Sequence, residues 1–268
     1  NSVVDTYTYN NGKLTQTTQL ALIYDAMGNT TQRGGDSYVY NQAGRLSIAT
    51  INSTPYQYDY NFLGQRVMKN SGTDMRYYQY GLSGELLAEF DGSGNVQVEY
   101  IYLNGQRIAF VTDAIYYVHT NHIDAPLALT NQAGNLVWQA SYTPFGKVDM
   151  TTDLLSEKLT ARFPGQYFDE ESGLHYNYFR DYDPELGRYI PSDPRGITLD
   201  FSDPMRMIAT STGISAPSTS SLIGNNHLYN YGNNSPMMYT DPTGEFVPFA
   251  AIWWAGTHAW AVYDGYNS

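Results

Sequence analysis

The stretch that decides the fold is YDAMGNT at residues 24–30, which returns along the chain in several variants. Each variant keeps an aromatic residue four positions before a glycine. The clearest copies are YNQAGRL at 40–46, YNFLGQR at 60–66, YGLSGEL at 80–86 and FDGSGNV at 90–96. Repeats at such a short, regular period are typical of an array of small supersecondary units.

Each repeat is best interpreted as a β-hairpin. Aromatic residues alternate with polar ones in runs such as 56–60, as on one face of a strand. An Asn or Asp, two residues and a Gly then form a short turn, in which the glycine tolerates positive φ. A single hairpin cannot bury its aromatic face, so neighbouring hairpins must share one sheet. The sequence therefore predicts an all-β fold, with a continuous, curling, tyrosine-lined sheet over roughly residues 1–150.

The composition supports a folded, acidic, β-rich protein. The 268 residues include 26 tyrosines, 42% are hydrophobic, and the formal net charge is −12. This hydrophobic content argues against disorder, and the negative charge argues against nucleic-acid binding through a basic face. Because the chain contains no cysteine, disulfides, thiolate metal sites and a cysteine nucleophile are excluded.

Three further segments depart from the repeat pattern. Residues 151–162 (TTDLLSEKLTAR) are the best helical candidate, and residues 198–224, rich in Ser, Thr and Pro, predict an irregular insertion. The apolar stretch 246–262 is shorter than the roughly 20 residues of a membrane span and includes Pro248. It is interpreted as buried or interfacial, with no stable membrane span and with membrane insertion as a minority alternative.

The N-terminal sequence NSVVDTYTYN has neither an initiator methionine nor a signal peptide, so we expect a piece of a longer protein. If repeats precede it, the first hairpins present an unpaired edge, and self-association through that edge is expected.

Residues 163–196 carry the most specific pattern, FPGQYFDEESGLHYNYFRDYDPELGRYIPSDPRG. This stretch resembles the core-associated region of the Rhs and YD-repeat polymorphic toxins, which include the C subunits of insecticidal toxin complexes. The segments NHLYNYGNNSP at 226–236 and DPTG at 241–244 resemble the closing motif of that family. The resemblance covers about residues 1–245.

The resemblance implies a hollow β-cage that encloses a variable C-terminal toxic domain. It also implies three regions: YD-type shell repeats at 1–150, an irregular core-associated plug at 151–245 that acts as an aspartyl autoprotease, and a tail at 246–268 that belongs to the plug or begins the toxin domain. Implied partners are the enclosed toxin domain, the remainder of the shell, a secretion-spike protein, a chaperone and an immunity protein. Members are secreted or delivered by a specialised system such as type VI secretion.

By the same resemblance, Asp193 and Asp241 are the catalytic aspartates, and Arg180 is a supporting cation. Two carboxyl groups held close in a dry site can share one proton and divide the acid and base roles. The expected cut lies at Glu245–Phe246 or within a residue or two of it. This sequence departs from the family pattern because Glu245 replaces the usual leucine and because the insertion at 198–224 lengthens the link between the aspartates. Cleavage that is slow, shifted or absent is therefore also open.

Other interpretations remain beside this one. Asp-Pro-x-Gly is an ordinary turn sequence, so both aspartates could be structural. Asp183-Pro184 is interpreted as a structural turn, Asp203-Pro204 as loop, and His175 as structural. His119, His122 and Asp124 form a conceivable metal site, although hydrogen-bonded histidines at a strand end are the favoured interpretation, and no cofactor is expected. A non-catalytic adhesive module that docks a partner through its tail and a glycan-binding tyrosine surface are the alternative functions.

Overall fold

The computed structural model describes residues 5–194 and 228–244. This part of the chain is almost entirely β-structure, with one short 3-10 turn at Gly232–Asn234 and no α-helix. The strands are β1 (Tyr7–Asn10), β2 (Lys13–Thr17), β3 (Leu22–Tyr24), β4 (Thr30–Arg33), β5 (Asp36–Tyr40), β6 (Leu46–Ile51), β7 (Thr54–Tyr60), β8 (Arg66–Asn70), β9 (Met75–Tyr80), β10 (Leu86–Asp91), β11 (Val96–Leu103), β12 (Gln106–Val111), β13 (Ile115–Thr120), β14 (Pro126–Asn131), β15 (Leu136–Tyr142), β16 (Val148–Asp153), β17 (Tyr167–Asp169), β18 (Leu174–Asn177), β19 (Arg180–Asp183) and β20 (Arg188–Tyr189).

Most strands belong to one antiparallel sheet of 14 strands, in which β3 to β16 follow one another in chain order. The hairpin β1–β2 lies beside its first strand, through a bridge between Gln16 and Ala21. The strands β17 to β20 form a separate four-stranded antiparallel sheet, called here the core sheet. The predicted all-β fold of stacked hairpins is thus confirmed. No helix in the described part of the chain could span a bilayer.

The Asn or Asp that opens most of the repeat turns explains why the hairpins recur. In the turn after β7, Asn61 Oδ1 accepts the backbone N–H groups of Leu63 and Gln65, both at 3.0 Å. The Gly64 N–H donates to the Asn61 carbonyl at 3.0 Å, and Gly64 has a φ of 81°. The same arrangement is built around Asn41, Asp91 and Asn131, and around Asn121 with Asp124 in place of the glycine. Residue type at this position therefore specifies the turn directly.

The tyrosine that precedes the turn joins one repeat to the previous one. The Tyr60 hydroxyl donates to the Leu46 carbonyl at 2.7 Å, and the Tyr80 hydroxyl donates to the Arg66 carbonyl at 2.9 Å. Equivalent bonds are made by Tyr24, Tyr40 and Tyr102. Each hydroxyl satisfies a carbonyl of the earlier repeat, which explains why the polar aromatic residue recurs at this position.

The helix predicted at 151–162 is wrong. The strand β16 runs to Asp153 and pairs with β15, with Thr152 opposite Gln139. The β-branched Thr151 and Thr152 favour an extended backbone. Beyond Asp153 the chain is irregular, and Leu159 and Ala161 are buried two positions apart against Trp138. An isolated antiparallel bridge joins Ala161 to Tyr167, so the end of this segment is extended and not helical.

The core sheet packs against the tyrosine-rich face of the large sheet. Tyr38 and Tyr58 share a buried cluster with Leu174, while Tyr78 packs with Tyr167 and Tyr176. The predicted tyrosine-lined face is therefore confirmed as a packing surface.

A buried ion pair connects the two sheets. The Arg66 guanidinium on β8 contacts the Asp169 carboxylate on β17 through two bonds of 2.6 and 3.0 Å. Four tyrosine rings surround the guanidinium, at 4.3 to 5.3 Å from its central carbon. Lys69 adds a contact of 3.1 Å to the same carboxylate. The positive charge of Arg66 is thus compensated by a carboxylate inside an aromatic environment.

The repeat turns at one end of the large sheet hold the segments that follow. The Tyr229 hydroxyl donates to the Gly28 carbonyl at 2.6 Å, and the Ser192 hydroxyl donates to the Met27 carbonyl at 2.9 Å. The Tyr178 hydroxyl reaches the Leu63 carbonyl at 2.9 Å. These contacts fix the position of the region that contains the predicted site residues.

Candidate functional site

A tight hairpin of the core sheet positions the predicted arginine. Asn177 on β18 pairs with Arg180 on β19, so only Tyr178 and Phe179 form the turn, and Tyr178 has a φ of 53°. The Phe179 N–H donates to the Thr243 carbonyl at 2.9 Å. The turn thereby places Arg180 directly beside the segment Asp241–Gly244.

Arg180 contacts both predicted aspartates with one nitrogen atom. Its Nη2 lies 3.1 Å from Asp193 Oδ2 and 3.4 Å from Asp241 Oδ2. The two carboxylate oxygens therefore lie no further apart than these two distances combined. The exposed fractions of the Arg180, Asp193 and Asp241 side chains are 2%, 11% and 3%. This is a largely dry cluster in which one cation faces two acids.

The remaining donors of Arg180 bind backbone carbonyls of the closing segment. Its Nη1 donates to the Leu228 carbonyl at 3.1 Å, and its Nε donates to the Gly244 carbonyl. The Asp193 N–H donates to the same Leu228 carbonyl at 2.9 Å. Because the Gly244 carbonyl belongs to the peptide bond with Glu245, the guanidinium polarises the backbone immediately before the expected cut.

Gly244 is required at this point by space as well as by conformation. Its φ is 71°, and a Cβ atom there would lie 2.4 Å from the Asn177 carbonyl oxygen and 3.1 Å from the Arg180 nitrogen. No side chain fits at such distances, since both obstacles are backbone atoms. The glycine of this Asp-Pro-x-Gly segment thus permits close approach to the hairpin of Arg180.

Two further residues contact Asp241 and were missed by sequence reasoning. The Tyr189 hydroxyl donates to Asp241 Oδ2 at 2.8 Å, and the Asn177 side-chain amide donates to the Asp241 carbonyl at 2.8 Å. Burial, and then the negative charge of Asp241, raise the pKa of Tyr189 well above its usual value, so its phenol remains protonated. Both residues lie inside the 163–196 motif, but ordinary strand positions carry no signal of such a contact.

Asp183 and the predicted histidines lie apart from this cluster. Glu245, Phe246, the tail 246–268, the insertion 198–224 and Asp203-Pro204 lie outside the described residues. Asp183 forms the expected turn, since its Oδ1 accepts the N–H groups of Glu185 and Leu186, and it also pairs with Arg33 at 2.7 Å.

The predicted histidines are hydrogen-bonded. His119 Nε2 lies 2.9 Å from Thr130 Oγ1, and His122 Nε2 lies 3.0 Å from the Met237 carbonyl. Within 5–194 and 228–244, no three His, Asp or Glu side chains come together as metal ligands. His175 is buried with Nδ1 2.6 Å from Gln166 Oε1, and burial lowers its pKa well below the usual value.

Two known bacterial proteins are similar to this chain. The tRNA(Glu)-specific nuclease WapA of Bacillus subtilis subsp. natto is 29% identical over 265 residues, which are 96% of this chain and 10% of that protein. Toxin protein Tse5 of Pseudomonas aeruginosa is 33% identical over 138 residues, which are 52% of this chain and 8% of that protein. The chain therefore spans only about a tenth of the length of these two relatives.

A solved structure shows the same fold. The crystal structure of TcdB2-TccC3 superposes with a TM-score of 0.62 at 20% sequence identity, covering 90% of this chain and 13% of the other. The family model of the teneurin YD-shell matches residues 2–237. The chain belongs to the teneurin YD-shell family and is a YD-shell segment of the kind found in Rhs-type toxins.

Proposed function

We propose that this chain forms part of the shell of an Rhs-type toxin and frees an enclosed C-terminal toxic domain by cutting its own backbone at Glu245–Phe246 or within a residue or two. One observation carries the proposal. A single Arg180 nitrogen contacts the carboxylates of Asp193 and Asp241, while another nitrogen of the same guanidinium holds the Gly244 carbonyl. Cation, acids and the approach to the expected cut therefore meet in one buried cluster.

The chemistry is that of two carboxyl groups sharing one proton. The ionised carboxylate takes a proton from water as the water oxygen adds to the peptide carbonyl carbon, and the protonated carboxyl gives its proton to the carbonyl oxygen. The adduct then collapses, the C–N bond breaks, and the nitrogen takes one proton as it leaves. A new carboxyl and a new amino terminus result, and the pair again holds one proton. Arg180 stabilises the single negative charge that the pair carries throughout.

The biological setting follows from the relatives. Tse5 is named a toxin and WapA a tRNA-specific nuclease, and this chain resembles a tenth or less of each. We therefore expect a secreted or delivered protein whose partners are the rest of its shell, the domain that follows residue 245, and a spike protein, chaperone or immunity protein. Type VI secretion is one route for such delivery.

The test is the intact mass of freshly made protein, compared with the Asp193→Asn and Asp241→Asn variants. We expect two fragments from the unsubstituted chain, divided near Glu245, and one unbroken mass from each variant. Asp183→Asn is the matched control, since this buried Asp-Pro aspartate pairs with Arg33 outside the cluster. An unbroken mass in the unsubstituted chain would exclude self-cleavage.

A second candidate function is a structural module without protease activity, which docks a partner through its tail. The observation that favours it is that the same contacts also join the core sheet to the closing segment, an arrangement called here the clasp around Arg180. Arg180 ties β19 to Asp193, to Leu228 and to Gly244, and so stabilises the closing segment whatever chemistry follows. In this case the three Asp→Asn variants above lose stability, but every chain retains an unbroken mass.

A further inference from the structure

Tyr189 is the one tyrosine of the core sheet whose hydroxyl is described in contact with a predicted acid. The residue is fully buried on β20, and its N–H donates to the Tyr229 carbonyl at 2.9 Å. Its ring lies under the Arg180 guanidinium, 3.6 Å from the central carbon. Tyr189 therefore contacts both the cation and one of the two acids.

The direction of its hydrogen bond is fixed by its neighbours. The Asn177 amide nitrogen donates to the Tyr189 oxygen at 2.7 Å. A phenol has one proton, and the oxygen that accepts from Asn177 is 2.8 Å from Asp241 Oδ2. Burial and the nearby carboxylate keep that proton on the phenol by raising the pKa of Tyr189. The hydroxyl thus donates to Asp241 and is not a base.

Asp241 Oδ2 consequently faces two donors, Tyr189 and Arg180. Hydrogen bonds donated to a carboxylate favour its ionised form, and a proton on the same oxygen would have to displace one of them. The same Arg180 nitrogen also contacts Asp193, so the cation serves both acids, whereas the described Tyr189 hydrogen bond is made to Asp241. The Tyr189 hydroxyl is therefore the feature that favours ionisation of Asp241.

We infer that Tyr189 is a positioning residue that keeps Asp241 as the ionised member of the pair, so that Asp193 carries the shared proton. The inference rests on the proposed function and assigns the two acid roles within it. Asp241 is then the group that takes the proton from water, and Asp193 is the group that donates to the peptide carbonyl oxygen. Asn177 supports the arrangement by holding both the Tyr189 oxygen and the Asp241 backbone.

The test is the pH dependence of cleavage in Tyr189→Phe, which keeps the ring under Arg180 and removes only the hydroxyl. Chains purified unfolded in urea are diluted into a series of buffers, and the cut fraction is followed by intact mass and divided by the folded fraction. Loss of a charged hydrogen bond predicts a rate roughly 10- to 100-fold lower at acidic pH. The acidic limb of the pH–rate profile, where the cleavage rate falls as the pH decreases, moves to higher pH by about one unit or more, and the rate recovers above it.

The matched control is Tyr182→Phe. Tyr182 is equally buried and lies opposite Tyr189 in the sheet, but its hydroxyl donates to the Phe145 carbonyl at 2.8 Å. We expect no shift of the limb in this variant. Asn177→Leu, which is close in shape, should shift the limb in the same direction as Tyr189→Phe. An unchanged limb in Tyr189→Phe, or an equal loss at every pH, would overturn the inference.

A second measurement separates this inference from the proposed function. In the intact Asp193→Asn chain, the ¹³C resonance of the Asp241 carboxyl reports its ionisation without any cleavage. Adding Tyr189→Phe should move the midpoint of that titration to higher pH, and an unmoved midpoint would refute the role of Tyr189. If the unsubstituted chain is never cut, the proposed function fails, while this titration still decides whether Tyr189 holds Asp241 ionised.

Discussion

Asp169→Asn should be one of the most destabilising single substitutions in the described part of the chain. The Asp169 carboxylate is 3% exposed, and it receives two bonds from Arg66, whose side chain is 1% exposed. Asparagine keeps the shape but removes the charge, so the guanidinium remains buried without its main partner.

The magnitude follows from this geometry. At an effective dielectric constant of about 20, unit charges about 4 Å apart attract by about 4 kcal/mol. Removal of one partner from a buried pair typically costs about 3–5 kcal/mol. We therefore expect the free energy of unfolding to fall by roughly 3–4 kcal/mol.

The assay is urea unfolding followed by far-ultraviolet circular dichroism. Glu170→Gln is the matched control, because Glu170 is the next residue and its ion pair with Lys158 is exposed on both sides. That control should change the unfolding free energy far less. In the double variant Arg66→Met/Asp169→Asn, much of the loss should be recovered, since methionine packs well among the four tyrosine rings.

The pH dependence provides an independent check. Burial alone would raise the pKa of Asp169, but Arg66 and Lys69 outweigh it and lower this pKa below 3.8. The stabilisation is therefore present above the unfolded-state pKa and is lost as the pH falls through the folded-state value. Asp169→Asn should weaken this dependence of the unfolding free energy on acidic pH, called here the acid limb. A loss below about 1 kcal/mol with an unchanged limb would refute the view that this pair holds the core sheet to the large sheet.

Three other substitutions test separate features. Burial raises the pKa of Asp181 to about 7 from 3.8, so the protonated side chain contributes its full stabilisation to the fold below the unfolded-state pKa and loses it as the pH rises through about 7. Asp181→Asn should therefore stabilise the chain above pH 7, and identical urea midpoints there would contradict this. Gly244→Ala should lower the free energy of unfolding by well over 1 kcal/mol and slow any self-cleavage. Gly105→Ala is the control: nothing lies within 4 Å of its Cβ position, so it should lose only about 1 kcal/mol because of its positive φ. Equal unfolding free energies for the two variants would exclude the close approach at Gly244. Tyr60→Phe should lower the free energy of unfolding by about 1 kcal/mol, because it removes the hydrogen bond to the Leu46 carbonyl. Tyr38→Phe should be neutral, because the Tyr38 hydroxyl is buried without a described hydrogen-bond partner. Calorimetric melting that reverses this order would disprove the role of the hydroxyls between repeats.

Sequence reasoning predicted the features that local chemistry determines. The Asn-x-x-Gly turns were predictable because one side-chain oxygen and one positive φ specify them, as Asn61 and Gly64 illustrate. The tyrosine face was predictable from strand alternation. The segment 151–162 was misinterpreted because its apolar spacing fits a helix, whereas its conformation is decided by pairing with β15 and by packing against Trp138.

The candidate site divides in the same way. Arg180, Asp193 and Asp241 could be named from the resemblance, because each occupies a marked position of a long motif. Tyr189 and Asn177 could not, since their contacts with Asp241 depend on how a segment beyond residue 227 returns to the core sheet. The ion pair Arg66–Asp169 was hidden for the same reason, because its partners are remote in sequence.

The clasp around Arg180 also sets an order of events during synthesis. Its guanidinium finds its acceptors at Asp193, Leu228, Asp241 and Gly244, which emerge from the ribosome progressively later. Until the last of them has been made, the arginine is only partly compensated and the hairpin of Phe179 lacks its bond to Thr243. The full set of contacts around Arg180 can therefore form only after residue 244 has been synthesised.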